Sequence, residues 1–473
     1  MSSAITAPTY DPTSTATALA QKATSDAQTL LTSQTNAANA TATALTQLGS
    51  AISTFQTSLS TLGGLGKSIL AQSATVSDST VATATAKASA ADGTYSLFVQ
   101  SVATAGQVSY NNLSDGATPG GTLTVNLGNE STTPPSPTAS FNVDLSSSAD
   151  TDGDGKLSIR EIAAAINRAS GNTGLVSAGV VTIGNDERLV LTSKNTGLAN
   201  TISMDASGVG DATLQSGLSN RTMVTAAQDA TVILGGTTGT PITQSSNTFT
   251  NIDGVSFTVS RAQSTGENPI TLTVGNDTTT TTANAQAFVD AYNKIKSTID
   301  GMLSPGDPTN NKAAGAFAND SGVQALQSKL ISLLRPSAGG LSLASYGITA
   351  TRDGTLQLDS TRLASQLAAN PDGLDQLMGS TAAANSGGVL GNLNTYLNQW
   401  SDSATGQLQQ RTDTNTKLQS TLSQRQSDLN DQYDAAYQRY LTQFTSLQTL
   451  QAQMNSNLSI FDAVFGTSSS SSS

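Results

Sequence analysis

The 473-residue sequence contains no cysteine and no histidine. That excludes a Ser-His-Asp triad, a Cys-His nucleophile, an imidazole base, haem or iron–sulfur ligation and an ordinary structural zinc site. Any acid–base chemistry falls to carboxylate, Lys, Tyr and Ser/Thr groups, and no acidic pair stands out for a carboxylate-only reaction, so no enzyme is expected. Without disulfides, stability must come from core burial, bound ions or self-assembly. Aromatics make up 4% of the residues, charged residues 11% and apolar residues 36%. The apolar share lies below the ordinary globular range, so individual domains are expected to have thin cores that partners complete. Basic residues are in deficit too: 21 Lys+Arg against 33 Asp+Glu leaves a formal net charge of −12. With no Lys/Arg run, that balance is repelled by phosphate backbones and anionic lipid, so neither nucleic acid nor membrane insertion is expected. The first twenty residues show no basic region followed by an apolar stretch, and no later run reaches a membrane span. Length suggests about three domains.

What is present is helical texture at both ends around a strand-rich middle. Leu45, Leu48, Ile52, Phe55, Leu59 and Leu62 recur at steps of three and four, a heptad seam that ends at Gly63 and Gly64. From Gln407 to Phe465 a second seam runs through Leu422, Leu429, Tyr433, Tyr440, Phe444, Leu447, Met454, Leu458 and Phe461, which predicts a coiled-coil helix. The second helix is the expected cover for the first seam, and both ends remain able to join a larger bundle. The stretch Ala4 to Ala44, with Ala and Thr in place of Leu, is expected to be flexible in the free chain.

Between the ends, alternation in TYSLFV, TLTVNL, ERLVLTS, ATVILGG, GVSFTVS and ITLTV predicts strands. Asp92-Gly93 reads as a hairpin turn, Arg160 to Ser170 as a short helix, and the threonine run Thr278 to Thr282 as a linker. Further helices are expected at GVQALQSKLISLL and STRLASQLAAN, with a small hairpin at the RDG turn between them and a break at Pro371. The predicted fold is α+β and multidomain, with coiled-coil helical termini and a helical domain flanking inserted mainly-β domains. The boundaries are terminal helical segments 1–44 and 430–473, a helical bundle 45–75 with 283–429, a β domain 76–127 with 222–282, and an inserted α+β domain 128–221.

The sharpest chemical motif is DTDGDGKLSIRE, Asp150 to Glu161. It fits a twelve-residue calcium loop, with Asp150, Asp152 and Asp154 at positions one, three and five, Gly155 at six, Leu157 at eight and Glu161 at twelve. Lys156 would offer its backbone carbonyl and Ser158 would act at position nine, directly or through water. A hard divalent cation takes six to eight oxygens, and the glycine allows the sharp turn that converges them. Ser158 and Glu161 also form a capping-box pattern, which is compatible with the loop. The preceding FNVDLSSSA alternates like a strand, so the expectation is a structural Ca2+ in a loop without a full helix-loop-helix hand. Gly66-Lys67-Ser68 lacks the upstream glycine of a P-loop, and Asp320-Ser321-Gly322 reads as a helix cap. Trp400 and the tyrosines Tyr433, Tyr437 and Tyr440 read as packing groups.

Three blocks carry a family resemblance: LNDQYDAAYQRYLTQFTSLQTLQAQMNSNLSIFDAVF at Leu429 to Phe465; AQAFVDAYNKIKSTID with NDSGVQALQSKL, LASYGITATRDGTLQLD and LASQLAANPDGLDQLM in that order; and IREIAAAINRASGNTGLVSAGVV with RLVLTSKNTGLAN. In these the chain resembles the flagellar filament cap family, also called hook-associated protein 2. The resemblance implies an annular homo-oligomer, often a pentamer, at the distal tip of the bacterial filament, promoting flagellin insertion, folding and polymerisation. It implies flagellin and adjoining filament proteins as partners, and export, with a chaperone, through the flagellar type III apparatus. The calcium-type loop is not part of the resemblance and rests on its own residues. An extracellular calcium-stabilised adhesin is the alternative, which would not need terminal seams matched to each other.

Overall fold

The computed structural model describes residues 11–113, 115–129, 136–184, 186–335, 337–338, 340–383 and 386–465. In chain order these form α1 (Pro12–Gly63), β1 (Gln72–Val76), β2 (Ala82–Ala86), β3 (Gly93–Ser101), β4 (Ala105–Tyr110), β5 (Thr122–Asn129) and β6 (Ser136–Asp144). There follow α2 (Ile159–Arg168), β7 (Val176–Ile183), β8 (Asp186–Thr196), β9 (Ile202–Asp205), α3 (Ala212–Ser219), β10 (Arg221–Thr225) and β11 (Ala230–Leu234). Next come β12 (Thr240–Gln244), β13 (Thr248–Phe249), β14 (Val255–Val259), β15 (Ile270–Asn276), α4 (Thr278–Leu303) and α5 (Ser321–Leu333). The last are β16 (Ser337–Ala338), β17 (Leu341–Ser342), β18 (Ile348–Ala350), β19 (Leu356–Leu358), α6 (Ser360–Ala369), α7 (Pro371–Met378), α8 (Gly388–Ser401) and α9 (Gln407–Phe465). Two compact units result: a helical unit of the residues up to Ile69 and from Thr282 onward, and a middle unit, Leu70–Thr281.

In the helical unit, α1 starts at Pro12 with Asp11 as its cap, accepting from the Thr13 and Ser14 N–H groups. From Pro12 on, the weak Ala/Thr half is one continuous helix with the seam, and residues 4–10 of that expected flexible segment lie outside the described residues. All six seam residues from Leu45 to Leu62 are buried. Their cover differs from the expectation. Phe55 meets Tyr292 of α4 edge-on at 6.4 Å, and the Gln56 amide donates to Asn398 of α8 at 2.6 Å. The reason is placement: α9 begins at Gln407, near Gly49, and runs antiparallel toward Pro12, so it covers the weak half of α1. α1 ends at Gly64, whose extended backbone turns out of the helix while its N–H still donates to the Ser60 carbonyl, a position glycine fits because a Cβ there would sit 2.4 Å from that oxygen.

One local expectation is corrected. The threonine run is the first turns of α4, not a linker, because Asp277 accepts from the Thr280 N–H and hydroxyl and caps the helix. The break expected at Pro371 is present: α6 ends at Ala369, and Pro371 opens α7 as a first-turn proline with Asn370 as its cap. The hairpin β18–β19 forms as predicted, pairing Ile348 with Leu358 and Ala350 with Leu356.

The middle unit has two cores. A five-stranded sheet, β1-β15-β3-β11-β12, and a three-stranded sheet, β13-β14-β2, enclose one, with Val99, Val232, Phe249, Phe257 and Leu272 inside. A four-stranded sheet, β10-β4-β8-β7, and a three-stranded sheet, β6-β5-β9, enclose the other with α2 and α3. This second core takes in β4 and β5, so the insertion begins earlier than residue 128. Asp92-Gly93 does not turn a hairpin: β2 pairs with β14, while β3 pairs with β11 and β15. The dipeptide permits a tight change of direction but does not specify which strand follows alongside; here it passes the chain from the smaller sheet to the larger.

Four asparagines act as artificial peptide groups. Asn247 bonds both the N–H and the carbonyl of Ala103, at 2.6 and 2.9 Å. Asn293 does the same at Leu356, Asn167 at Ala178 and Asn172 at Val176. Each satisfies backbone that has no neighbouring strand.

Candidate assembly surfaces and calcium-type loop

The α1–α9 pair is a thin antiparallel coil. Its buried apolar cluster is Leu31, Ala38, Leu422 and Leu429. Polar contacts set the register: the Gln28 and Gln426 amides exchange hydrogen bonds at 3.0 and 2.9 Å, and the Asn415 amide donates to the Ala38 carbonyl at 3.0 Å. Continued at this register, Pro12 comes level with about Thr442 of α9. Tyr433, Tyr440 and Phe444 are half-buried, and Tyr433 stacks on Tyr437 with ring centroids 6.5 Å apart. Beyond them the seam emerges into solvent: Leu447, Met454, Leu458 and Phe461 are 40, 55, 50 and 62% exposed. An apolar stripe of this length on an exposed helix face is a candidate docking surface.

The root of α9 is held firmly. Arg411 makes a two-pronged ion pair with Asp320, at 2.5 and 3.0 Å, while its guanidinium lies 5.5 Å from the centre of the Trp400 ring. Asp320 also caps α5, accepting from the Val323 N–H. The Arg411 hydrogen bonds hold the Asp320 carboxyl below its ordinary value. Trp400 is fully buried, as its helical spacing suggested.

The acidic loop lies between β6 and α2, so a strand enters it and a helix leaves it. Ligand-capable oxygens of Asp150, Asp152 and Asp154 fall within 4.8 Å of one another. Asp150 accepts from the Gly153 and Gly155 N–H groups, at 2.7 and 2.9 Å, across a backbone that both glycines turn with positive φ, 77° and 78°. Glu161 does not join this trio. Its Oε1 accepts from the Thr151 N–H at 2.6 Å and its Oε2 from the Ser158 N–H at 2.9 Å, closing the loop from behind as a capping box. The Ser158 and Thr151 N–H bonds lower the Glu161 pKa to about 2. At Asp152 the Asp154 N–H pulls the pKa down, but burial, the charges of Asp154 and Glu161, and a hydrogen bond with Asp150 outweigh it and raise the value. Lys156 gives its N–H to Asp154.

Two partners of the loop were invisible in the sequence. Leu157, fully buried at position eight, pairs with Ala117, and Asp115 accepts from the Ile159 N–H at 2.9 Å. Both come from the β4–β5 connection, far upstream, and no local spacing signals them. The three converging carboxylates suit a hard, oxygen-seeking cation; Glu161, as placed, anchors the loop.

Comparisons with known proteins match the chain in two regions, each spanning parts of both units. Residues 9–106 match the family described as flagellar hook-associated protein 2 N-terminus, and residues 227–456 its C-terminus. The lateral flagellar hook-associated protein 2 of Vibrio parahaemolyticus is 36% identical over 382 residues, 80% of this chain and 83% of that relative. The B-type flagellar hook-associated protein 2 of Pseudomonas aeruginosa is 31% identical over 409 residues, 81% of each. Among solved structures, the D1-D2-D3 domains of the flagellar cap protein FliD from Escherichia coli align with a TM-score of 0.61 at 26% identity, covering 79% of this chain and 99% of that one. The acidic loop falls between the two matched regions. On helical ends, inserted β cores and these matches together, the chain belongs to the flagellar hook-associated protein 2 family.

Proposed function

We propose that this chain caps the distal end of the bacterial flagellar filament as an annular homo-oligomer that promotes flagellin insertion, folding and polymerisation. The observation that carries the reading is the likeness, across both units, to the flagellar cap protein of Escherichia coli. The exposed stripe from Leu447 to Phe461 supports it, because a cap must present apolar helix to the helices it joins. Absence of disulfides suits passage of an unfolded chain through the flagellar type III apparatus, with an export chaperone shielding the apolar seams. Nothing in the fold or the relatives favours the adhesin alternative. Electron microscopy of the purified chain, alone and mixed with flagellin filaments, is the test: rings and occupied filament ends are expected, and bare ends at saturating protein would reject the reading.

The loop Asp150–Glu161 is the reading's second part. The trio Asp150, Asp152 and Asp154 holds a structural Ca2+, which relieves repulsion among carboxylates and braces the insertion. Lys156, Ser158 and Glu161 complete the set if Glu161 turns from its N–H donors toward the ion. Calcium is expected to raise the melting temperature of the middle unit relative to chelator, and Asp152→Asn to abolish the difference. Superimposable melting curves would remove the ion from the account.

A further inference from the structure

Among the described residues, the middle unit exposes four large apolar side chains, Val181, Ile183, Met223 and Val224, at 46, 56, 49 and 54%. All four lie on β7 and β10, the two edge strands of one sheet. Two other edges carry blocking devices, since β12 contains Pro241 and β13 has only two residues, and β10 is interrupted by a bulge between Met223 and Thr225. By contrast, β7 is eight residues long, with no proline, no charge and no bulge across its eight pairs with β8.

The outer side of β7 is half used. Asn172 bonds the N–H and carbonyl of Val176, and Asn167 those of Ala178, standing where a neighbouring strand would stand. By the strand's two-residue period, the next outward groups are those of Val180 and Thr182, flanking the exposed Val181 and Ile183. The open half of the edge is therefore also its apolar half.

We propose that β7 of one copy pairs with β10 of the next, joining the four-stranded sheets edge to edge around the ring. This rests on the annular-cap reading and names the contact. Direction favours it: all three pairings in the sheet are antiparallel, so β7 and β10 run opposite ways and a head-to-tail copy continues the alternation. Faces match as well. Met223 pairs with Val108 on the core side and Thr222 with Ser109 on the outer side, so opposing Met223 with Thr182 of the neighbour, on the side of Ala178, brings Thr222 against Ile183 on the outer side, while the bulge of β10 between Met223 and Thr225 sets Val224 beyond the regular register. The contact uses two different surfaces of each copy, the arrangement from which rings close. With β10 only five residues long, it buries far less than the ~1,200 Å² of a stable pair, so it holds only among subunits tethered by further contacts.

The chain has no cysteine, which gives a clean test. The doubly substituted chain Ile183→Cys with Thr222→Cys, oxidised mildly as full-length protein, is expected to give a reducible ladder of covalent oligomers, whereas each single substitution stops at dimers. Val181→Lys is expected to lower the ring population at least about tenfold with an unchanged melting curve, since the side chain is exposed. If the unsubstituted chain forms rings and caps filaments while the double variant cross-links no further than the singles, the edge pairing is wrong and the cap reading stands. If the unsubstituted chain neither forms rings nor caps, both fall together.

Discussion

Asn172 is 3% exposed, and its amide spends both ends on backbone, donating to the Ile166 and Val176 carbonyls and accepting from the Val176 N–H. Asn172→Asp replaces the donor with a second acceptor facing two carbonyl oxygens, and is expected to cost about 1–3 kcal/mol in urea unfolding of the middle unit. An unchanged midpoint would show that the clamp is dispensable. Glu161 makes a pH-dependent contribution of the opposite polarity. Its folded-state pKa, about 2, lies below the ordinary 4.5, so its stabilisation is fully present above 4.5 and is lost as pH falls through about 2. In chelator, Glu161→Gln is expected to flatten the melting-temperature profile across that acid window relative to the unsubstituted chain; parallel profiles would contradict the assignment. Sequence spacing revealed the acidic positions and the capping box because all lie within twelve residues. The asparagine clamps stayed hidden because Asn293 and Asn247 act on residues more than sixty positions away, and nothing local distinguishes them from solvated amides.

At the scale of elements, α1 and α9 carry the same heptad signature but different fates. Leu48 is fully buried between helices, while Met454 is 55% exposed on a free face. Leu48→Ala is expected to cost about 2–5 kcal/mol in the unfolding of the helical unit, and Met454→Ala to stay within about 0.5 kcal/mol. Replacing both Leu458 and Phe461 by Ser is expected to leave melting unchanged and abolish binding to filament ends; retained capping would show that the stripe is not the docking face. Periodicity made both seams legible, because it reports that one face of a helix is apolar. It does not report what covers that face, which is why α9 was expected over Leu45 to Leu62 and instead lies mainly along the Ala/Thr half of α1, reaching only the start of the seam near Leu45 and Gly49. Strands were legible for a similar reason, and their partners were not: alternation marks β2 and β3 alike, while the choice of β14 for one and β15 for the other depends on long-range packing.

Across the whole molecule, the helical unit is assembled from the two ends of the chain and the middle unit from one uninterrupted stretch, Leu70–Thr281. In a chain ending before Gln407, limited proteolysis is expected to leave a resistant fragment spanning that stretch while the Pro12–Ala44 half of α1 is digested for want of its partner; protection of that half would mean that it stands without α9. For a chain exported unfolded as proposed, with its N-terminus leading, the division also imposes an order of events. The first helix arrives early and waits, because the last helix is still in transit. The β cores close as soon as their own residues are out. Only when the final residues leave the channel does α9 find α1, through a loop several hundred residues long whose entropic cost grows only slowly with length. The α1–α9 pair can thus form only after α9 has been delivered, and a product truncated before Gln407 lacks it.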